Sequence, residues 1–360
     1  MLPHSTVTRA CSSIPIDGPA ETRKGEDNTM TITGTERISA VLRGETLDRV
    51  PYSFWTHLPH VDLDPVRLAE ETYQFYRRFE PDFVKSMPNG MFCVEDFGCE
   101  CDFSEVFAGG VARISKYAVT EASDWEKLPA PDVGKGALGR ELHSLERLTA
   151  LVRDEAPVVA TVFTPLTAAR KMAGPALFRH MRENPDGVKA GLEIIARVTA
   201  EFAAEAVSRG CAGIFLADQM ATREVMTEEE YAEFGAPFAL KVLEAVRGRS
   251  WFNVLHIHGN DIMYRLLADF PVQAINWHIG ETEPDIGEML RLSPDKVAVG
   301  GIRRFDVTSG KLEAIKRQIA DAREHGGSRI IVTPNCVIRH PLNEEVLELV
   351  RKEILQTVST

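Results

Sequence analysis

From residue 50 onward, short apolar runs alternate with longer stretches of mixed polarity. Eight runs read as buried strands: PYSFW (51–55), DFVKSM (82–87), PVVATVF (157–163), AGIFLA (212–217), WFNVLHIH (251–258), VQAINW (272–277), KVAVGG (296–301) and SRIIVT (328–333). Most are rich in Val, Ile and Phe at successive positions, the pattern of a parallel sheet covered on both faces. Between them lie helical periods. Residues 65–80 carry Leu68, Tyr73, Phe75 and Phe79 among charges, and 189–209 read as an Ala-rich helix ending near Gly210. Thr227 with Glu230 is a capping box, opening a helix that stops near Gly248. Residues 310–325 form another helix, ending at Gly326-Gly327. Eight strands with helices between them predict an α/β fold, a (β/α)8 barrel. An open doubly wound sheet would carry a Gly-rich phosphate loop after its first strand, where this chain has THLPHVD. Residues 88–156, between the second and third strands, predict an insertion over one mouth of the barrel.

Residues 1–30 are rich in Ser, Thr, Pro, Gly and Asp and have no sustained apolar period. They read as a disordered tail before a barrel spanning 31–360, with helical patterning starting in TERISAVLRG. Lys and Arg number 41 against 53 Asp and Glu, a net charge of −12, which argues against nucleic-acid or anionic-membrane partners. No apolar run reaches the roughly 18 residues of a membrane span, and no apolar stretch of signal-peptide length opens the chain. The six cysteines are scattered and read as thiols of a cytoplasmic protein.

Barrel enzymes place their chemistry at the C-terminal ends of the strands. The unusual polar residues collect there. The first strand leads to Trp55 and His57; the second carries Lys85 and leads to Asn89, Glu95 and Asp96. The fourth ends at Asp218, the fifth in His256 and His258, and the sixth leads to His278. Arg303 and Arg304 follow the seventh, a common place for anion binding, and Asn335 and Cys336 follow the eighth. These residues point to a small-molecule substrate. Trp55, Lys85, Asn89, Asp96 and Arg303 are candidate substrate contacts; His57, Asp218 and His278 are candidate acid–base groups. Asp218 reads equally well as a helix cap, and Lys85 as a partner of Glu95 or Asp96.

The sharpest local feature is LHIHGN (255–260). Residues i and i+2 of a strand share a face, so His256 and His258 present two imidazoles to one point. Catalytic zinc takes three protein ligands and an open position, and Cys336 is the best third ligand. Cys99 and Cys101, with Cys93 nearby, lack zinc-knuckle spacing and read as free thiols in the insertion.

RISAVLRGETLDRVPYSFW, AGIFLADQM, TEEEYAEFGAPFALKVLEAVR, VLHIHGN and TPNCVIRHPLNEEVLELV together resemble the uroporphyrinogen decarboxylase superfamily over roughly residues 35–355. The resemblance implies a (β/α)8 barrel. The decarboxylases carry an arginine-bearing RQAGRY-like segment after the first strand to hold substrate carboxylates; this chain has none there. The zinc-dependent corrinoid methyltransferases carry H-x-C and a distant C. His256 and Cys336 match the ends of that pattern, while His258 replaces its middle Cys. In that branch zinc binds a thiol acceptor, whose thiolate takes a methyl group from corrinoid cobalt. The resemblance thus implies a zinc-dependent methyltransferase working with a corrinoid or a corrinoid protein. The alternatives are a metal-free porphyrinogen decarboxylase of haem biosynthesis, with Asp218 or Asp96 on the pyrrole N–H groups, and a non-catalytic carrier-binding subunit.

Overall fold

The computed structural model describes residues 32–108 and 112–356. The tail expected over 1–30 lies outside them. Among the described residues there are nine strands: β1 (Val84–Lys85), β2 (Glu100–Asp102), β3 (Arg113–Lys116), β4 (Val158–Phe163), β5 (Gly213–Asp218), β6 (Val254–Ile257), β7 (Ala274–Trp277), β8 (Val297–Ile302) and β9 (Ile330–Pro334). Seven pair in parallel in the order β1-β4-β5-β6-β7-β8-β9. Strands β4 to β9 are buried at almost every position, as continuous apolar runs require.

The eighth barrel position is held by residues 51–56. They do not form a ladder strand, which corrects the strand expected at PYSFW. The chain is extended and makes single parallel bridges at Tyr52–Val332 and Thr56–Ile338. Pro51 has no N–H to donate. The Tyr52 N–H donates to the Asp82 carboxylate at 2.9 Å, and Ser53 Oγ donates to Phe83 O at 2.7 Å. Side chains thus take over bonds that a ladder would make. Backbone bonds from Ser53 N to Val332 O and from Asp82 N to Tyr52 O close the ring between β9 and β1. The result is a (β/α)8 barrel.

The helices follow the apolar periods. Pro65–Phe79 is capped by Asp64, and Pro185–Ser208 starts four residues earlier than the Ala-rich run suggests, because Asn184 caps it and Pro185 opens it. The helix opened by the Thr227/Glu230 capping box is broken into Glu228–Phe234 and Ala236–Val246. Pro237 cannot donate to the preceding turn, which accounts for the break. The insertion contains the helix Gly136–Val152 and a hairpin of β2 and β3. Among the described residues no helix is long and apolar enough to cross a membrane.

Asp82, 2% exposed, is the latch of the closure. It accepts from Arg37 at 2.7 Å, from Arg49 at 2.6 and 2.9 Å, and from the Tyr52 N–H. Removing one partner from a buried ion pair costs about 3–5 kcal/mol, because the other charge is left uncompensated. Asp82→Ala is therefore expected to lower the unfolding free energy by about that amount in denaturant titration. A loss below ~1 kcal/mol, the range of an exposed ion pair, would show that the latch is not structural.

Candidate active site

The ends of β6, β7 and β9 bring four donor side chains to one point. His256 lies within β6, and His258 follows it, still bonded through its N–H to Asp218 O of β5 at 2.9 Å. Gly259 then turns the chain at φ +134°, where a Cβ would lie 2.8 Å from Thr222. His278 follows β7 and Cys336 follows β9. Cys336 Sγ is 3.9 Å from His256 Nε2 and 3.9 Å from His258 Nδ1. With His278, all four donor atoms lie within 4.8 Å of one another. Tetrahedral zinc, with Zn–N near ~2.1 Å and Zn–S near ~2.3 Å, sets S···N separations of about 3.6 Å. His278 Nε2 is buried and has no hydrogen-bond partner. A dry polar atom beside a thiol and two imidazole nitrogens fits a metal ion, and one sulfur with three nitrogens suits zinc.

The orientation of His256 is set from behind. Asn276 Nδ2 donates to Val299 O at 2.7 Å, which turns Asn276 Oδ1 toward the imidazole. His256 Nδ1 donates to it at 2.5 Å, leaving the Nε2 lone pair facing Cys336. Such a partner fixes the tautomer of a metal-binding histidine. The His256 ring also stacks on Phe215, 5.6 Å between centroids. Burial holds all three imidazoles neutral: His258 and His278 are pushed down to about 4, and His256 falls well below its ordinary value. Burial raises the Cys336 thiol, opposed by the Arg304 charge.

His256, His258 and Cys336 line a cavity of about 420 Å³ at the C-terminal mouth. His57, Asn89 and Gln219 line it, and Phe103, Val106 and Ala112 reach it from the loop between β2 and β3. The insertion thus contributes to the cover over the mouth. Lys171, Arg304 and Arg339 also face the cavity, with Asp62 as the one carboxyl lining it among the described residues. Burial lowers His57 to about 4, helped by the charges of Lys85, Lys171 and Arg339.

Of the remaining sequence candidates, Asn89 faces the cavity, with a buried and unpartnered Nδ2. The others are placed differently. Trp55 is 2% exposed and packs in the barrel core against Phe83 and Phe215. Lys85 does not pair with Glu95 or Asp96. It donates to Thr161 Oγ1 at 2.8 Å inside the barrel, and burial lowers it to about 8. Asp96 caps the helix Gly136–Val152, accepting from Ala137 and Leu138 N–H groups at 2.9 and 2.8 Å. Arg303 is exposed and bonds Gly280 O, so Arg304 is the arginine that lines the cavity. Asp218 is fully buried. Its oxygens accept from Met220 N, Ala221 N and Tyr231 Oη, the engagement of a loop cap rather than of an acid–base group. Cys93, Cys99 and Cys101 are free thiols.

Asn276 and Lys171 are among the site residues that sequence did not single out. Asn276 interrupts an apolar strand buried on both faces, and that polarity is its signal. Lys171 lies late in the helix Pro165–Ala173, where nothing local marks it.

The chain belongs to the uroporphyrinogen decarboxylase (URO-D) family, whose profile matches residues 33–354. It is similar to the methylcobamide:CoM methyltransferase MtbA of Methanosarcina acetivorans, 24% identical over 63% of this chain and 70% of that one. It is 25% identical to the MtbA of Methanosarcina mazei over the same shares. A solved methyltransferase structure from Methanosarcina mazei superposes with a TM-score of 0.79 at 20% identity, covering 90% of this chain and 98% of that one. A B12-independent methionine synthase from Shewanella gives a TM-score of 0.53 at 13% identity, over 85% and 93% of the two chains. Both structural matches show the barrel.

The neutral imidazoles make metal-free protein sensitive to acid. Unfolded histidines take up protons near pH ~6.5, whereas His57, His258 and His278 in the folded chain take them up near about 4. Between these values the unfolded state binds more protons, so stability falls as pH drops. Denaturant midpoints of the metal-free chain are expected to fall from pH 6.5 to 4, and less steeply in His57→Gln. An unchanged slope in that variant would show that His57 titrates normally.

Proposed function

We propose that this chain is a zinc-dependent methyltransferase that takes its methyl group from a corrinoid. The observation that carries the reading is the convergence of His256, His258, His278 and Cys336 within 4.8 Å at the barrel mouth. His256, His258 and Cys336 would hold the metal, with the free Nε2 of His278 aimed into the same volume. When bound, zinc supplies Lewis acidity that lowers the pKa of an acceptor hydroxyl or thiol. The methyl donor follows the name methylcobamide:CoM methyltransferase carried by the relatives.

The chain's own groups do the rest. Asn276 holds His256 in the tautomer that leaves Nε2 free. His278, kept neutral by burial, offers a nitrogen as the fourth donor of the same cluster. The cover residues Phe103 and Val106 exclude water from the transfer. Asp218 positions the loop after β5 through its bonds to Met220 and Ala221. A ligand set with one thiolate leaves divalent zinc with a net charge of about +1, where two thiolates would leave it neutral. That charge acidifies an oxygen acceptor and damps the nucleophilicity of a sulfur one. An alcohol or phenol is the favoured acceptor class.

Purified protein is expected to bind about one zinc per chain and to consume methylcobalamin when an acceptor is supplied. Cys336→Ser and His256→Ala should lose the metal and the activity together. Asn276→Ala should weaken zinc binding by about 10–100-fold with the fold intact. Absence of zinc, together with conversion of uroporphyrinogen to coproporphyrinogen, would replace this reading with the decarboxylase.

A further inference from the structure

Two of the four donors stand beyond the strands that carry them. His256 lies inside β6, and His258 is held by its N–H bond to Asp218 O. His278 and Cys336 come after the last residues of β7 and β9, and β8 lies between those two strands. Near its end β8 runs Gly300-Gly301, at φ +145° and +104°. A Cβ on Gly300 would lie 2.8 Å from Ile279 Cδ1 and 3.0 Å from Asn335 Oδ1. With glycine there, the side chain of Asn335 reaches across β8.

Asn335 is fully buried, and each polar atom of its amide is bonded. Its Nδ2 donates to Ile279 O at 2.8 Å and to Glu281 Oε1 at 3.2 Å, and its Oδ1 accepts from Gly301 N at 2.9 Å. Its backbone N–H donates to Ile302 O at 2.7 Å. One amide thus joins the loop after β7, the end of β8 and the residue next to Cys336. The loop it grips is the turn that His278 opens, where the N–H groups of Glu281 and Thr282 donate to His278 O at 2.9 and 3.1 Å.

The bonds fix the amide in one sense. Turned over, it would set Nδ2 against the Gly301 N–H and Oδ1 against the Ile279 carbonyl. An Asp in its place has no donor for Ile279 O and adds a second carboxylate beside Glu281. An Ala leaves the Gly301 N–H and Ile279 O buried without these partners. A fully paired polar network in a dry interior rigidifies the segments that it joins.

We propose that Asn335 is a positioning residue of the donor cluster. Its amide ties the loop that carries His278 to the strand end that carries Cys336, across the glycine pair of β8, and so sets how their donor atoms face each other. The inference rests on the methyl-transfer reading for what that geometry serves, a bound metal. The tie itself is a property of the metal-free chain.

The test accordingly has two arms, both on the full chain. In metal-free protein, hydrogen exchange over residues 278–282 is expected to quicken at least about tenfold in Asn335→Ala, while residues 254–257 keep their protection. In the second arm the probe is cobalt(II), whose visible absorption reports the coordination geometry that zinc hides. Asn335→Ala and Asn335→Asp should weaken cobalt binding by about 10–100-fold and change that absorption. Glu281→Gln, whose side-chain oxygen still accepts, should stay close to the unaltered chain. Asn335→Asp keeps the bond from Gly301 and carries both arms if Asn335→Ala does not fold. Unchanged exchange over 278–282 would overturn the proposal. So would faster exchange with cobalt affinity and absorption equal to those of the unaltered chain, because Asn335 would then serve the fold alone. Failure of the methyl-transfer reading registers separately, as an unaltered chain that takes up neither cobalt nor zinc, and the exchange arm still decides the tie.

Discussion

The register between β6 and β7 governs the site. His256 and Asn276 stand opposite each other in the parallel ladder, with Leu255 opposite Ile275 and Ile257 opposite Trp277. A slip of one residue would send His256 to the other face of the sheet and bring an apolar side chain inward. The pairing lets the Asn276 amide reach His256 Nδ1, and it brings the ends of β6 and β7 level, so that His258 and His278 meet with ring centroids 4.7 Å apart. Cys336 joins them because β9 closes onto the extended segment 51–56. The apolar ladder that stabilises the barrel therefore also aims the donor atoms.

A dry barrel end is a poor place for charge, and the site is assembled from groups that meet this constraint. Its imidazoles stay neutral, and its thiol stays protonated unless a cation draws the proton off. Neutral nitrogens with free lone pairs are what a metal requires, so the same burial that suppresses protonation prepares the ligands. Lys85 lies deeper, with Trp55 and Phe215 against its ammonium in place of a carboxylate. The Phe215 ring serves two purposes, since His256 stacks on it as well.

The insertion changes the mouth from an open end to an enclosed cavity. It is anchored from within: Asp96 caps the helix Gly136–Val152, and Arg140 of that helix pairs with Glu95. Charged residues that look reactive along the chain are here spent on holding the cover. The residues that the hairpin of the insertion adds to the lining, Phe103, Val106 and Ala112, are apolar.

Much of this was legible in the residues alone. Continuous apolar runs at β4 to β9 specify strands buried on both faces, and the helical periods between them specify a barrel. His-x-His in a strand places two imidazoles on one side, because alternation is a local property of the backbone. The roles of isolated polar residues were not legible in the same way. Asp96 and Asp218 became caps because particular N–H groups lie within reach of their oxygens. Trp55 became core because Phe83 and Phe215 fill the space around it. Lys171, from a helix after β4, reached the cavity only through the folding of the chain around Gly90. Local patterning fixes which face a side chain occupies; partners distant in sequence decide whether a charge there is a cap, a latch or a ligand, since that depends on which groups share its desolvated volume.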